Sequence, residues 1–254
     1  MQKYLLPLVA VVSLATAPQA KGADDDSWAL RPYIGVKAQH SMFRGSATTT
    51  GYDPEVGGVR DWKNENTRQN PNGVAVSLGL EHEDIPLRVE FEWLFNEKIV
   101  DDNLVAGKST TRSDIMMFNV FYDLETNSQF TPYIGFGVGK LNLSYDFQMN
   151  PWDARDESIE SWVHAEYDNT RIKANTGFAM QVMLGTSIGI TKGFALDLGY
   201  KYATFGNTGA DLGVNYTFTP DDVSIDKYAV PYQVRMKDEN IASHAFYFGG
   251  RYVF

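Results

Sequence analysis

The chain of 254 residues contains no cysteine. That removes disulfide frameworks, thiolate-bound zinc, thiol catalysis and lipid attachment through a cysteine. It has no run of 18 or more apolar residues, which excludes a bilayer-spanning helix. Basic residues are scarce, 22 Lys and Arg against 32 Asp and Glu, for a net charge of −10. Nothing is available to neutralise a row of phosphates, so nucleic acid is excluded as a partner. The four histidines (His40, His82, His164 and His244) are scattered and lack metal-ligand spacing. No nucleophile elbow, phosphate loop or dinucleotide fingerprint occurs. We therefore expect no enzyme, no catalytic residue, no metal site and no cofactor. What the chain does have is 13% aromatic residues and 22 glycines, the composition of a β-rich protein with crowded backbones.

The first residues read as an export signal. Lys3 precedes the apolar stretch from Tyr4 to Ala17, which is too short to cross a bilayer but fits the apolar core of a signal peptide. Small residues around Ala20 and Gly22 place cleavage near 20–23, after which Asp24, Asp25 and Asp26 end the apolar pattern. Residues 1–22 are thus expected to be removed, leaving a single domain over 23–254.

The remainder alternates apolar and polar residues, the mark of strands whose two faces meet different media. Eight such runs are expected: Trp28 to Gln39, Val74 to Glu81, Leu87 to Asn96, Ile115 to Leu124, Thr131 to Tyr145, Phe178 to Ile190, Phe194 to Ala203, and Ala245 to Phe254. In the fifth run the phase slips near Lys140, as a β-bulge would cause. The connections alternate between short turns (around 82–86, 125–130 and 191–193) and longer polar loops (about 43–73, 97–114, 146–177 and 205–243). An even strand number with long loops at one end is the pattern of a bacterial outer-membrane barrel.

A soluble carrier with apolar faces turned inward has the same alternation, and three features favour the opposite orientation. The polar rows are rich in Gly and Ala, as at Gly135, Gly137, Gly139, Gly185, Gly189, Ala195 and Gly199, which suits a narrow lumen rather than a water-facing sheet. Those rows carry Arg31, Lys37, Arg88, Lys201 and Arg251 against Glu81, Glu90, Glu92, Asp123 and Asp197, five of each sign in an otherwise acidic protein. Ions shut in a lumen must be paired. We read Glu90 and Glu92 as parts of such a network rather than as an acid–base pair. Aromatic residues (Trp28, Trp93, Phe95, Tyr122, Phe194, Tyr200, Tyr202, Tyr252 and Phe254) sit near the ends of the apolar rows, where water–lipid interfaces favour them.

Three segments carry a family resemblance: Thr131 to Gly139, Gln181 to Gly185 with Leu196 to Tyr202, and Phe248 to Phe254. In these the chain resembles the opacity-protein and OmpA-like surface barrels of Gram-negative bacteria, from about Trp28 to Phe254 and outside the long loops. The resemblance implies an all-β fold: an eight-stranded antiparallel up-and-down transmembrane barrel in the outer membrane, with short periplasmic turns and long extracellular loops. It also implies that Phe246, Phe248, Tyr252 and Phe254 form the terminal signal read by the outer-membrane assembly machinery, with Gly250 a departure from that pattern.

An eight-stranded lumen is filled by side chains, so the expected role lies in the loops, as adhesion or surface antigenicity, or in envelope support. The expected partners are outer-membrane lipid and lipopolysaccharide, the assembly machinery and a host surface receptor. No cell-wall tether is expected. Trp152 and Trp162, in an acidic loop, are the candidate loop contacts, with Tyr216, Phe218, Tyr228 and Tyr232 as a second aromatic set. A small channel and a lipid-modifying barrel are the alternatives. For the latter, Tyr202 to Asn207 lacks the His-x-Ser pair, and Ala23 to Ser27 cannot form the amphipathic helix, that two such barrel families carry.

Overall fold

A computed structural model describes residues 30–53, 58–104, 107–149, 152–156, 161–167, 170–174, 177–221, 226 and 228–254. The signal segment 1–22, together with Trp28, lies outside them. Among the described residues the chain forms strands and no helix: β1 (Leu30–Asp53), β2 (Gly58–Gln69), β3 (Asn72–His82), β4 (Leu87–Asn96), β5 (Ile99–Leu104), β6 (Gly107–Asp123), β7 (Phe130–Met149), β8 (Trp152–Asp156), β9 (Ser161–Tyr167), β10 (Thr170–Lys173), β11 (Gly177–Thr191), β12 (Phe194–Phe205), β13 (Thr208–Pro220) and β14 (Tyr228–Val253).

Eight of these close into a ring of antiparallel pairs in the order β1, β3, β4, β6, β7, β11, β12, β14, with β14 returning to β1 from Tyr33↔Val253 upward. Closure leaves no unpaired edge in the ring, the condition for a sheet to sit in hydrocarbon. A row of paired residues starting at Phe130 passes through Ile188, Leu196, Gly250, Val36, Val76, Trp93 and Met116 and returns to β7 at Lys140, ten residues further on. With rises of about 3.3 Å along and about 4.8 Å between eight strands, that shear tilts the strands by about 40°. The short turns 83–86, 124–129 and 192–193 lie at one end, the turn end, where Phe254 N–H also bonds the Pro32 carbonyl.

The four longer connections are not loops but continuations of the strands. β1 runs on to Asp53 and pairs with β2 as far as Asp53↔Gly58, and β6 and β7 stay paired up to Gly107↔Met149. β14 carries β13 beside it, and β9 and β8 add to β13. The ring thus rises into a crown of hairpins. In Gly58–Gln69 polar residues occupy odd and even positions alike, so no apolar period betrays that strand.

No register shift occurs at Lys140 in the pairing of β7 with β6 or β11, so the expected bulge is absent there. Lys140 faces out and Leu141 faces in, buried, because the lumen itself becomes apolar at that level. The bulges lie elsewhere. One is opposite Gly45, where β14 carries an extra residue, and Asn240 there adopts a left-handed conformation with φ 54°. Asn tolerates that region better than most residues. The bulge reverses the facing of β14 above it and turns Asp238 inward.

Candidate functional site

The outward rows form a continuous apolar belt. Leu78, Phe91, Phe118, Ile134, Phe136, Leu184, Leu198 and Phe248 are all exposed on the outer wall. Aromatics rim it: Tyr122, Phe194, Tyr252 and Phe254 toward the turn end, and Trp93, Phe95, Tyr200 and Tyr202 toward the crown. The Trp93 and Phe95 rings lie 4.6 Å apart. Phe246, Phe248 and Tyr252 point outward along β14. Gly250 interrupts that row beneath the Phe194 ring, whose edge would lie 3.2 Å from a Cβ placed there. An aromatic side chain from the neighbouring strand covers the gap.

The inward rows converge on a filled lumen in two layers. The lower layer is ionic. Lys37 Nζ bonds Glu90 Oε1 at 2.5 Å and Glu92 Oε2 at 2.8 Å, and Lys201 Nζ reaches Glu92 Oε1 at 2.8 Å. Arg88 grips Asp123 with two bonds, 2.6 and 2.8 Å. Glu81 accepts from Arg31 at 2.8 Å and from Arg251 at 3.1 Å, while Asp197 takes the Ser187 hydroxyl and lies 3.8 Å from Arg251. All ten charged residues of the polar rows therefore belong to ion pairs, in three groups: Arg31–Glu81–Arg251–Asp197, Glu90–Lys37–Glu92–Lys201 and Arg88–Asp123. Asn119 and Tyr33 also donate to Glu90, at 3.4 and 3.3 Å, and Gln181 donates to Asn119 at 2.7 Å. Buried charges survive only when nearly every oxygen and proton finds a partner.

Aromatic rings interleave with this network. Arg88 stacks over Phe121 and Tyr133 at 4.7 and 5.0 Å, and Arg251 over Tyr33 at 5.2 Å. Each ring lies across the glycine paired with it on the next strand: Tyr33 on Gly79, Phe121 on Gly135, Tyr133 on Gly185 and Tyr247 on Gly199. A Cβ at Gly135 would fall 2.6 Å from the Phe121 ring. This close approach accounts for Gly79, Gly135, Gly185 and Gly199, whereas a Cβ at Gly189 would meet nothing closer than 4.0 Å.

The upper layer is apolar. Leu94, Ile115, Met117, Leu141, Ala179, Ala203 and Phe205 form a buried cluster, flanked by Phe43, Leu143 and Ile241. Phe43 and Phe205, on the two strands that flank β14, stack inside the bore with centroids 5.8 Å apart. Beneath them, above Glu92 and Lys201, a small space lined also by Gln39, Gln181 and Ser243 remains. Alternation did not reveal this plug, because inner and outer faces are both apolar at that height.

Above the plug, in the crown and beyond the apolar belt, Tyr145 donates to the Asp238 carboxylate and Thr208 donates to it at 3.4 Å. Burial pushes the Asp238 carboxyl above its usual range despite these two donors, and burial beside Asp238 pushes the Tyr145 phenol up as well. Trp152 begins β8 and Trp162 lies on β9, opposite Arg155 in the β8–β9 hairpin; their side chains lie outside the described residues. Among the described residues no group of three His, Cys, Asp or Glu side chains is arranged to hold a metal. His40 bonds Asn72 at 2.9 Å, His82 accepts from the 83–86 turn, and His244 bonds Tyr200 at 2.6 Å.

An eight-stranded closed sheet with an apolar wall, aromatic rims and an ion-filled bore defines a transmembrane barrel of the bacterial outer membrane. The family model for the outer membrane protein beta-barrel domain matches residues 7–236, and the chain belongs to that family. The outer membrane is its location, with the turn end periplasmic and the crown outside. The chain is 31% identical over 86 residues to uncharacterised proteins of Brucella abortus and Brucella suis, a match covering 34% of this chain and 28% of theirs; it thus spans little more than a quarter of these curated relatives. Among solved structures it is similar to Neisserial surface protein A (16% identity, TM-score 0.49, 88% of this chain and 97% of that one). It is also similar to OprG from Pseudomonas aeruginosa (15%, 0.49, 90% and 99%) and Ail of Yersinia pestis (11%, 0.37, 85% and 98%).

Proposed function

We propose that the protein is a sealed, non-enzymatic surface barrel that acts through its crown, as an adhesin or surface antigen. The observation that carries this reading is the double filling of the bore. A solute would have to part the Lys37–Glu90–Glu92–Lys201 network and then the Phe43–Phe205 stack. The crown, by contrast, is a built platform. Its β13–β14 hairpin sets Leu212, Val214, Tyr216 and Phe218 opposite Val234, Tyr232, Val230 and Tyr228, so apolar and aromatic positions share one face by register. The segment 146–170 holds seven acidic residues against Arg155 and Arg171 at its edge. A host surface presenting basic and aromatic groups is the partner this chemistry suits.

The test has two arms. In planar bilayers the refolded barrel should give no steady conductance; a stable open level would establish the channel alternative. Bacteria displaying the protein should adhere to cultured host cells, and a variant with residues 150–169 replaced by a short Gly-Ser linker should lose adhesion while keeping the mobility shift of a folded barrel on unheated gels. Undiminished adhesion by that variant would remove the 150–169 hairpin from the proposal.

A further inference from the structure

The outward row of β1 reads Leu30, Pro32, Ile34, Val36, Ala38, His40, Met42 and then Arg44. Phe43 packs inward against the plug, so Arg44 stands on the outer wall, one same-face position above Met42. Its paired neighbour on β2 is Arg68. Both guanidinium-bearing residues are exposed, and neither has an anionic partner among the described residues. Like charges directly opposite on one sheet face repel. The nearest carboxylate by register with described contacts, Glu239 beside Ser46, is engaged by Lys237; Glu65 lies at the same level on β2.

The surroundings fit a lipid headgroup. On the other side Arg44 pairs with Ala242, which leaves room, and Ala242 pairs with the exposed Thr204, a hydroxyl donor. One step below runs the aromatic rim, with Tyr202 and His244 paired and their rings 5.0 Å apart. Below that lies the apolar wall of Phe246, Phe248, Ala38 and Val74. A row of cations immediately above an acyl-chain surface is arranged for a phosphate carried on a lipid, with two planar forks matching phosphate oxygens.

We propose that Arg44 and Arg68 form a binding site for the phosphate of a phosphorylated outer-leaflet glycolipid, whose acyl chains lie on the Phe246–Phe248–Ala38–Val74 wall. The inference rests on the outer-membrane placement and is independent of the adhesive role of the crown.

The probe is bisphosphorylated lipid A, compared with the same lipid dephosphorylated, added to the detergent-solubilised full barrel and read as lipid adducts by intact-complex mass spectrometry. The wild type should prefer the phosphorylated lipid, and R44Q/R68Q should bind it about tenfold more weakly, at the level of the dephosphorylated lipid. R44K/R68K should keep part of the preference, and millimolar inorganic phosphate should not displace the lipid. Lys192→Gln, a cation exposed in the turn at the opposite end, should change nothing. Should the double variant not fold, Arg68→Gln serves alone, since β2 lies off the closed ring, and should lose about half of the preference in free energy. Equal binding by wild type and R44Q/R68Q, an equal loss in Lys192→Gln, or full displacement by inorganic phosphate would each overturn the site.

Discussion

The two layers of the lumen are made in opposite ways at the same radius. Toward the periplasm, Lys37, Glu90, Glu92 and Lys201 are held by charge and hydrogen bonds; toward the crown, Leu94, Ile115, Leu141 and Phe205 fill the bore by shape. The ionic layer is directional: each charge depends on a named partner, so removing one strands the others. The apolar layer is non-directional and tolerates exchange of one hydrophobe for another. Filling below therefore depends on particular partners, and filling above on volume.

The largest effect should come from Glu92→Ala, which leaves Lys201 buried without its carboxylate and Lys37 with Glu90 alone. A loss of about 3–5 kcal/mol is expected, read by urea unfolding of the barrel in lipid vesicles with gel mobility as the signal. Leu141→Ala in the plug should cost about 2–4 kcal/mol, while Leu141→Met should cost less than about 1.5 kcal/mol. If Glu92→Ala proved as mild as Leu141→Met, the contrast between the layers would be lost. Gly199→Val, which drives a side chain into the Tyr247 ring across the strand pair, should cost about 1–3 kcal/mol.

The smallest effect is local and pH-dependent. Asp238 has its carboxyl raised in the folded crown, so the neutral acid is the form the fold favours. Its contribution is fully present below the ordinary carboxyl value and fades as pH rises through the raised one. Amide exchange around Asp238 and Tyr145 should therefore slow as the medium is acidified, beyond the intrinsic pH trend, and Asp238→Asn should abolish that extra dependence. An unchanged profile in Asp238→Asn would show that another group governs it.

How much of this was legible in the sequence follows from the media on the two faces. Where lipid lies on one side and ions on the other, as along Leu87 to Asn96, alternation marked the strand to the residue. At Lys140 and Leu141 the inner face turns apolar, and the change of pattern read as a bulge that is not there. In Gly58–Gln69 polar residues occupy odd and even positions alike and no period exists to find. The β13–β14 hairpin lies in the stretch expected to be a polar loop, although Leu212, Val214, Tyr216 and Phe218 alternate, as do Val230, Tyr232, Val234 and Met236, with Pro231 and polar residues between them. The five cations and five anions of the lumen could be listed from the strand phases alone. Their partners could not, because pairs such as Arg251 with Glu81 join strands that are not hydrogen-bonded to each other, β14 and β3, over the intervening β1.

The absence of cysteine allows the central assignment of faces to be measured without background. Single substitutions Leu198→Cys on the wall and Ala203→Cys in the plug, labelled with a fluorophore before refolding into vesicles, would be exposed to lipid-borne and water-borne quenchers. Leu198→Cys should be quenched by the lipid-borne reagent alone and Ala203→Cys by neither. Quenching of Leu198→Cys from water, or of Ala203→Cys from either side, would contradict a barrel with its apolar wall in lipid and its bore sealed.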